Sequence, residues 1–334
     1  MHVRAGLPWH HAWVSEFAAR LRDAVRASRG TRDGRVTDVY PALSRVNPGL
    51  RAAAMCGARP LSSAAGEGPA VPAAVRASTT AGDADAPFIL MSVAKPLTLA
   101  LAVDALGADA VEALTGMAES PYAFNDPAAI TASPDGRTSP MVNPGAITVA
   151  SLLGRGSVAL GERRILDGLS RFAGRSLDAD ETMVDAIHAS NHRNRLLAGL
   201  LAERRLLGCD LEDALHLYTL QSCVEVTVED LARMGAVLAG GGMDPVTGAR
   251  VVSAEAAEVA LAAMTLAGLY EASASWRGTV GLPAKSGIAG GLVMVSPGVG
   301  ALAAYSPPLD VAGNPVGAQA IARAVAPALR APIA

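Results

Sequence analysis

Between residues 9 and 28 the apolar positions Trp13, Phe17, Leu21 and Val25 recur every fourth residue with charged side chains between them. That spacing predicts an amphipathic helix. From about Arg51 to Pro87, alanine-rich pieces alternate with Gly, Ser, Thr and Pro, so short strands and a long loop are expected. The pattern then turns helical from Ser92 to about Tyr270. Val93, Leu97, Leu101 and Ala105 mark a helix that Gly107 closes, and further helices are predicted over 196–207, 211–220, 228–238 and 254–269. Strand-like runs return over 278–284, 290–296 and 300–305, and 318–329 reads as a closing helix. No internal repeat is visible. Strands early, helices in the middle and strands late imply an α+β fold, with one sheet assembled from both chain ends and a helical insert. In that reading 1–334 form a single unit, with 34–95 and 275–334 as the sheet part and 96–274 as the helical part.

Composition narrows the function classes. A chain of 334 residues, 51% hydrophobic, can bury a large core. Its net charge of −3 and its lack of a basic stripe argue against nucleic acid as a partner. The three cysteines, Cys56, Cys209 and Cys223, lack metal-type spacing and read as reduced core thiols. The N-terminus carries no apolar run of signal-peptide length, and the apolar stretches 97–106 and 290–309 are too short or too broken to span a membrane. A cytoplasmic protein is expected.

The candidate chemistry comes from an imbalance between two residue types. Of 28 basic side chains only two are lysine, Lys95 and Lys285. Arginine carries surface charge equally well, but only lysine loses its proton when buried and becomes a base. Lys95 follows Ser92 by three residues, which in a helix puts the hydroxyl and the amine on one face. That pair is a serine nucleophile with its own base. The bland alternative is a helix-face serine beside a snorkelling lysine.

Longer stretches carry a family resemblance. Ser92-Val93-Ala94-Lys95-Pro96-Leu97, Pro140 to Ile147, Arg193-Asn194, Val226-Thr227, Asp230-Leu231-Ala232 and Pro245-Val246-Thr247-Gly248 stand in order. Gly281 to Gly287, Gly290-Gly291 and Ser306 to Asp310 continue the series. From about Gly34 to Gly317 the chain resembles the serine-dependent glutaminases, which share the fold of serine β-lactamases and penicillin-binding proteins. The resemblance implies an antiparallel sheet, an acyl-enzyme on Ser92, Lys95 and Lys285 as the paired amines, and Tyr270 and Tyr218 as active-site phenols. It further implies Asn143 and Asn194 as substrate-holding amides, an oxyanion site between the Ser92 and Ile288 N–H groups, no cofactor or metal, a small-molecule amide or acyl substrate, and a homo-oligomer.

Three departures fall where glutamine would be gripped. The family usually has Gln before the nucleophile, an acidic residue seven positions before the Asn of Arg-Asn, and Tyr directly after the Asp of an early Asp-Tyr motif. This chain has Met91, Ile187 and Val39 there, with Tyr40 one place later. In one reading, Asp185 or Tyr40 fills the vacated roles and glutamine remains the substrate. In another, the same machinery serves an amidase, esterase or acyl-transfer enzyme whose substrate lacks the amino-acid head. A non-catalytic binding protein on this fold is a third. Elsewhere, His188 and His192 stand four apart as a metal pair without a third ligand, or as surface or substrate contacts. His10-His11 reads as solvated, Gly240 to Gly242 as a helix end, and Gly290-Gly291 as a close approach of strands beside the site.

Overall fold

The structure, a computed structural model, describes residues 9–31, 33–58, 78–119 and 121–330, with side chains from Phe17 onward. His10-His11, the Trp13 side chain and most of the expected loop after Arg51 lie outside the described residues.

Helix and antiparallel sheet are mixed in one fold. Among the described residues seven strands form: β1 Ala52–Gly57, β2 Thr79–Gly82, β3 Phe88–Ile89, β4 Glu225–Val226, β5 Ala284–Ser286, β6 Gly291–Ser296 and β7 Gly300–Tyr305. Five make the main sheet in the order β2-β1-β7-β6-β5, every neighbour antiparallel. β1, from the early part of the chain, pairs with β7 from the late part. β3 and β4 form a separate two-stranded ribbon.

Both faces of the main sheet are covered, which is why β6 and β7 read as unbroken apolar runs. Alternation splits their side chains between two cores. Ala53, Met55, Leu292, Met294, Leu302 and Ala304 face the helices Trp9–Ser28 and Val316–Arg330, with Leu21, Ile321 and Val325 opposite. Ala52, Ala54, Val293, Val295, Ala301 and Ala303 face the helical side, headed by the Val228–Ala239 helix. Small side chains let that helix settle closely: a Cβ on Gly235 would stand 2.6 Å from the Ala301 Cβ. Helices Ala94–Leu106, Asn143–Leu153, Val158–Ala173 and Leu211–Ser222 stack beyond it and share its core.

Two elements differ from expectation. The helix predicted over 196–207 runs His192–Glu203, because Arg205 turns left-handed at φ +57 and ends it, while its polar first turn gives no apolar signal. The strand predicted over 278–284 is mostly not a strand. A helix occupies Ser273–Thr279, the buried Trp276 donates its indole N–H to Leu282 O at 2.9 Å, and β5 begins only at Ala284. Gly240 to Gly242 do end a helix, donating from Gly240 N to Ala236 O and from Gly242 N to Val237 O, both at 2.9 Å. Cys56 and Cys223 are buried and Cys209 half-buried, all as free thiols. Burial pushes the Cys56 thiol up to about 11 and the Cys223 thiol up to about 12.

Candidate active site

Ser92 lies in a single 3-10 turn, Met91–Val93, that runs directly into the Ala94–Leu106 helix. The turn is anchored from both sides: Leu90 N donates to Val224 O at 2.9 Å and Val93 N to Leu90 O at 3.0 Å. Met91 pays a conformational cost, since its φ of +46 is left-handed for a residue with a Cβ. Its buried side chain holds it there. Gly287, at the start of the β5–β6 turn, lies against this strained turn; a Cβ on it would meet Leu90 O at 2.9 Å and Ser92 N at 3.3 Å. Only a glycine lets the two backbones approach this closely.

Both lysines are buried in this site. Lys95, one helical turn after Ser92, is 2% exposed and donates from Nζ to Asn143 Oδ1 at 2.7 Å. Burial without a counter-ion lowers its amine to about 7. Lys285 is the middle residue of β5, on the sheet face opposite Ala284, and is fully buried. Its Nζ donates to Ser286 O at 2.6 Å and stands 4.1 Å from the Tyr270 ring centroid. Burial, and then the charge of Lys95, holds it well below the usual lysine range.

Two phenols border the amines. Tyr270, also left-handed at φ +55, donates from its hydroxyl to Ser286 O at 3.4 Å and tilts against Phe124 at 4.8 Å between centroids. Burial pushes its phenol up to about 12, while hydrogen bonds with Ser92 and Ser286 offset part of the rise. Tyr218, on the Leu211–Ser222 helix, has its ring centroid 5.9 Å from Lys95 Nζ and is raised well above the ordinary tyrosine value by burial, with Tyr40 and Tyr270 adding.

From Lys95 a line of amides leads into the cleft. Asn143 Nδ2 donates to Asn194 Oδ1 at 3.0 Å, and Asn194 Nδ2 donates to Asn191 Oδ1 at 2.7 Å. Asn143 heads the Asn143–Leu153 helix, and the other two stand at the start of His192–Glu203. The cleft itself is about 190 Å³ and is lined by Ser92, Asn143, Asn191, Asn194, Tyr218 and Ile288 among others. Met91 and Ile187 also line it, and they belong to a small apolar cluster with Leu43, Met183 and Ala289, against which Tyr40 and Ile288 pack. Val39 is at the rim, 58% exposed, and Tyr40 is half-buried beneath it.

Every residue singled out from the sequence for this site lines the cleft or borders it through these contacts. Asp185, the carboxylate offered as a replacement at Ile187, does not: it is exposed and outside the lining, and none of the described lining residues is Asp or Glu. Tyr40 is present. The His188–His192 pair is not a shared helical face, because the helix Glu181–Ser190 ends and Asn191 separates the two. His188 instead stacks on His216 at 5.6 Å. Sequence reasoning missed Asn191, Phe124, Thr219 and the placing of Arg193 at the rim. The only local signal for Asn191 was its position three residues before Asn194.

Comparison with known proteins gives the family. The family model described as Glutaminase matches residues 34–333. Glutaminase 2 of Yersinia pestis is 42% identical over 290 residues, covering 87% of this chain and 81% of its own length. A glutaminase of Mycobacterium ulcerans is 43% identical over 251 residues, covering 75% of this chain and 78% of its own. A solved structure of a probable glutaminase superposes with a TM-score of 0.86 at 33% identity, over 94% of this chain and 96% of that one.

Proposed function

The chain belongs to the glutaminase family, and from that premise we propose that it hydrolyses the side-chain amide of glutamine or a related carboxamide through an acyl-enzyme on Ser92. The observation that carries the reading is the buried Lys95 amine, lowered to about 7 by burial one helical turn from the half-buried Ser92 hydroxyl. Neutral Lys95 takes the Ser92 proton as Oγ bonds to the amide carbon. The negative charge that develops on the carbonyl oxygen is met by the N–H groups of Ser92, at the head of a helix, and Ile288. Tyr270 passes a proton to the departing nitrogen as the C–N bond breaks, and ammonia leaves. Water then adds to the acyl carbon, gives one proton back through the same groups and releases the acid from Ser92. Lys285 positions the phenol, its Nζ packed over the Tyr270 ring and donating to Ser286 O. Asn143 and Asn194 hold the substrate side, and Tyr218 closes it.

The arrangement of an antiparallel sheet, a helical part and a serine-lysine turn supports a serine β-lactamase-like fold and, with the family, a homo-oligomer. Among the described residues no helix is long and apolar enough to cross a membrane. The test is intact-protein mass after mixing with a primary carboxamide or an activated ester. An acyl adduct on the wild type that is absent from Ser92→Ala supports the reading; an unmodified wild type under conditions that acylate a known serine amidase overturns it.

A further inference from the structure

The hydrogen bonds around Lys95 have a direction, and that direction bears on what the cleft accepts. When the Lys95 lone pair serves Ser92, its N–H groups face outward, so Asn143 must present Oδ1, as it does at 2.7 Å. Each amide then has only one orientation left: Asn143 Nδ2 donates to Asn194 Oδ1, and Asn194 Nδ2 to Asn191 Oδ1. The series therefore ends on a donor. Asn191 is 4% exposed, lines the cleft, and its Nδ2 is buried without a hydrogen-bond partner among the described residues. An unpaired buried N–H is costly, and a ligand oxygen would satisfy it.

The remaining lining agrees in charge. None of the described residues around the cleft is Asp or Glu, and the one charged group there is Arg193, held at the rim by Nε donating to Asn125 O at 3.0 Å. Met91 and Ile187 give the same cleft an apolar wall. The Thr219 hydroxyl, also buried and unpaired, adds a neutral hydrogen bond and no counter-charge. A free ammonium in this cleft would find neutral hydroxyl and amide oxygens but no carboxylate among the described lining residues, with the Arg193 guanidinium repelling it from the rim. An unpaired charge so placed is strongly disfavoured.

We infer that the preferred substrate is an ω-carboxamide whose α-nitrogen is acylated, of the N-acylglutamine type, with the acyl carbonyl accepting from Asn191 Nδ2, the carboxylate turned to Arg193 and the acyl carbons against Met91 and Ile187. This rests on the acyl-enzyme reading above and adds the identity of the head group. Asn191→Asp is the discriminating variant. It retains the Oδ1 that Asn194 uses, keeps a favoured side chain at the cap of the His192–Glu203 helix, and replaces the free N–H by a carboxylate oxygen.

The experiment measures kcat/KM for N-acetyl-L-glutamine and L-glutamine by ammonia release. For the wild type the ratio in favour of the acylated substrate is expected to be at least tenfold, and Asn191→Asp is expected to lower it at least tenfold, by weakening the first substrate and improving the second. A wild-type preference for free glutamine overturns the inference and leaves the Ser92 mechanism standing, as does a ratio that Asn191→Asp does not move. Turnover of neither, with Ser92 still acylated by an activated ester, overturns the head-group assignment alone. Failure of that ester to acylate Ser92 overturns both.

Discussion

Replacing Lys95 by methionine should abolish hydrolysis and, at neutral pH, make the protein more stable. The amine falls from 10.5 to about 7 in the folded chain because burial strips its hydration. At 1.36 kcal/mol per tenfold change in proton affinity, that corresponds to about 5 kcal/mol, an order-of-magnitude cost of holding a charged lysine here. Below pH 7 the lysine is protonated in both folded and unfolded chains, and the cost is fully present. Above about pH 10.5 it is neutral in both, and the cost is gone. Between these limits the unfolded chain keeps a proton that the folded one sheds, so wild-type stability rises with pH, by about 1.4 kcal/mol per pH unit in the middle of the window. Methionine removes this titration but leaves Asn143 Oδ1 without the donor it has at 2.7 Å, a loss of about 1–3 kcal/mol. The variant should therefore exceed the wild type by about 2–4 kcal/mol at pH 7. Its advantage should shrink steadily and vanish by about pH 10. Urea unfolding of both proteins at three pH values from neutral to alkaline reads this directly. A difference that does not change with pH, or a methionine variant less stable at neutral pH, would refute the account of Lys95 as a desolvated, titrating amine.

The same lysine sets a kinetic limit: wild-type kcat/KM should climb about tenfold per pH unit below about pH 7 and level off above it, as Lys95 loses its proton. A profile flat through that range would exclude Lys95 as the base. Tyr270→Phe keeps the ring against Phe124 and Lys285 but removes the hydroxyl, so kcat should fall by about a hundredfold with the unfolding midpoint almost unchanged; retention of more than half the activity would assign the proton transfer elsewhere. Gly287→Ala puts a methyl 2.9 Å from Leu90 O and 3.3 Å from Ser92 N, so the acylation rate should drop at least about tenfold, measured as the pre-steady-state burst. An undiminished burst would show that the two turns do not need their close contact.

Where information was local, the sequence carried it. Ser92 and Lys95 are three residues apart on one turn, Val93 to Ala105 mark their helix, and β6 and β7 announce themselves as apolar runs because both faces are covered. Lys285 was conspicuous only because the chain has so few lysines, and its approach to Tyr270 depends on β5 lying at the sheet edge beside the helical side. Information held in tertiary contacts was not legible. Asn191 looks like any polar residue between two helices until Asn194 and Asn143, brought in by separate helices, give it a direction. The strand expected over 278–284 overlaps the end of the Ser273–Thr279 helix, since Gly278-Thr279-Val280 has strand-like composition. What decides it is Trp276, packed into the sheet-side core and tied to Leu282 O. The β3–β4 ribbon, two residues per strand, is below what any periodicity can reveal.

The scarcity of lysine has a consequence for chemical modification. Both ε-amines of this chain are buried, so enzymes and reagents that mark proteins by acylating, glycating or conjugating surface lysines find no such handle on the folded molecule. Lys95, lowered to about 7, is uncharged in about half of the molecules at neutral pH, which leaves it nucleophilic yet shielded. Modification of either amine therefore requires entry through the cleft or the opening of the fold, and amine-directed mass labelling becomes a gauge of how often this protein opens.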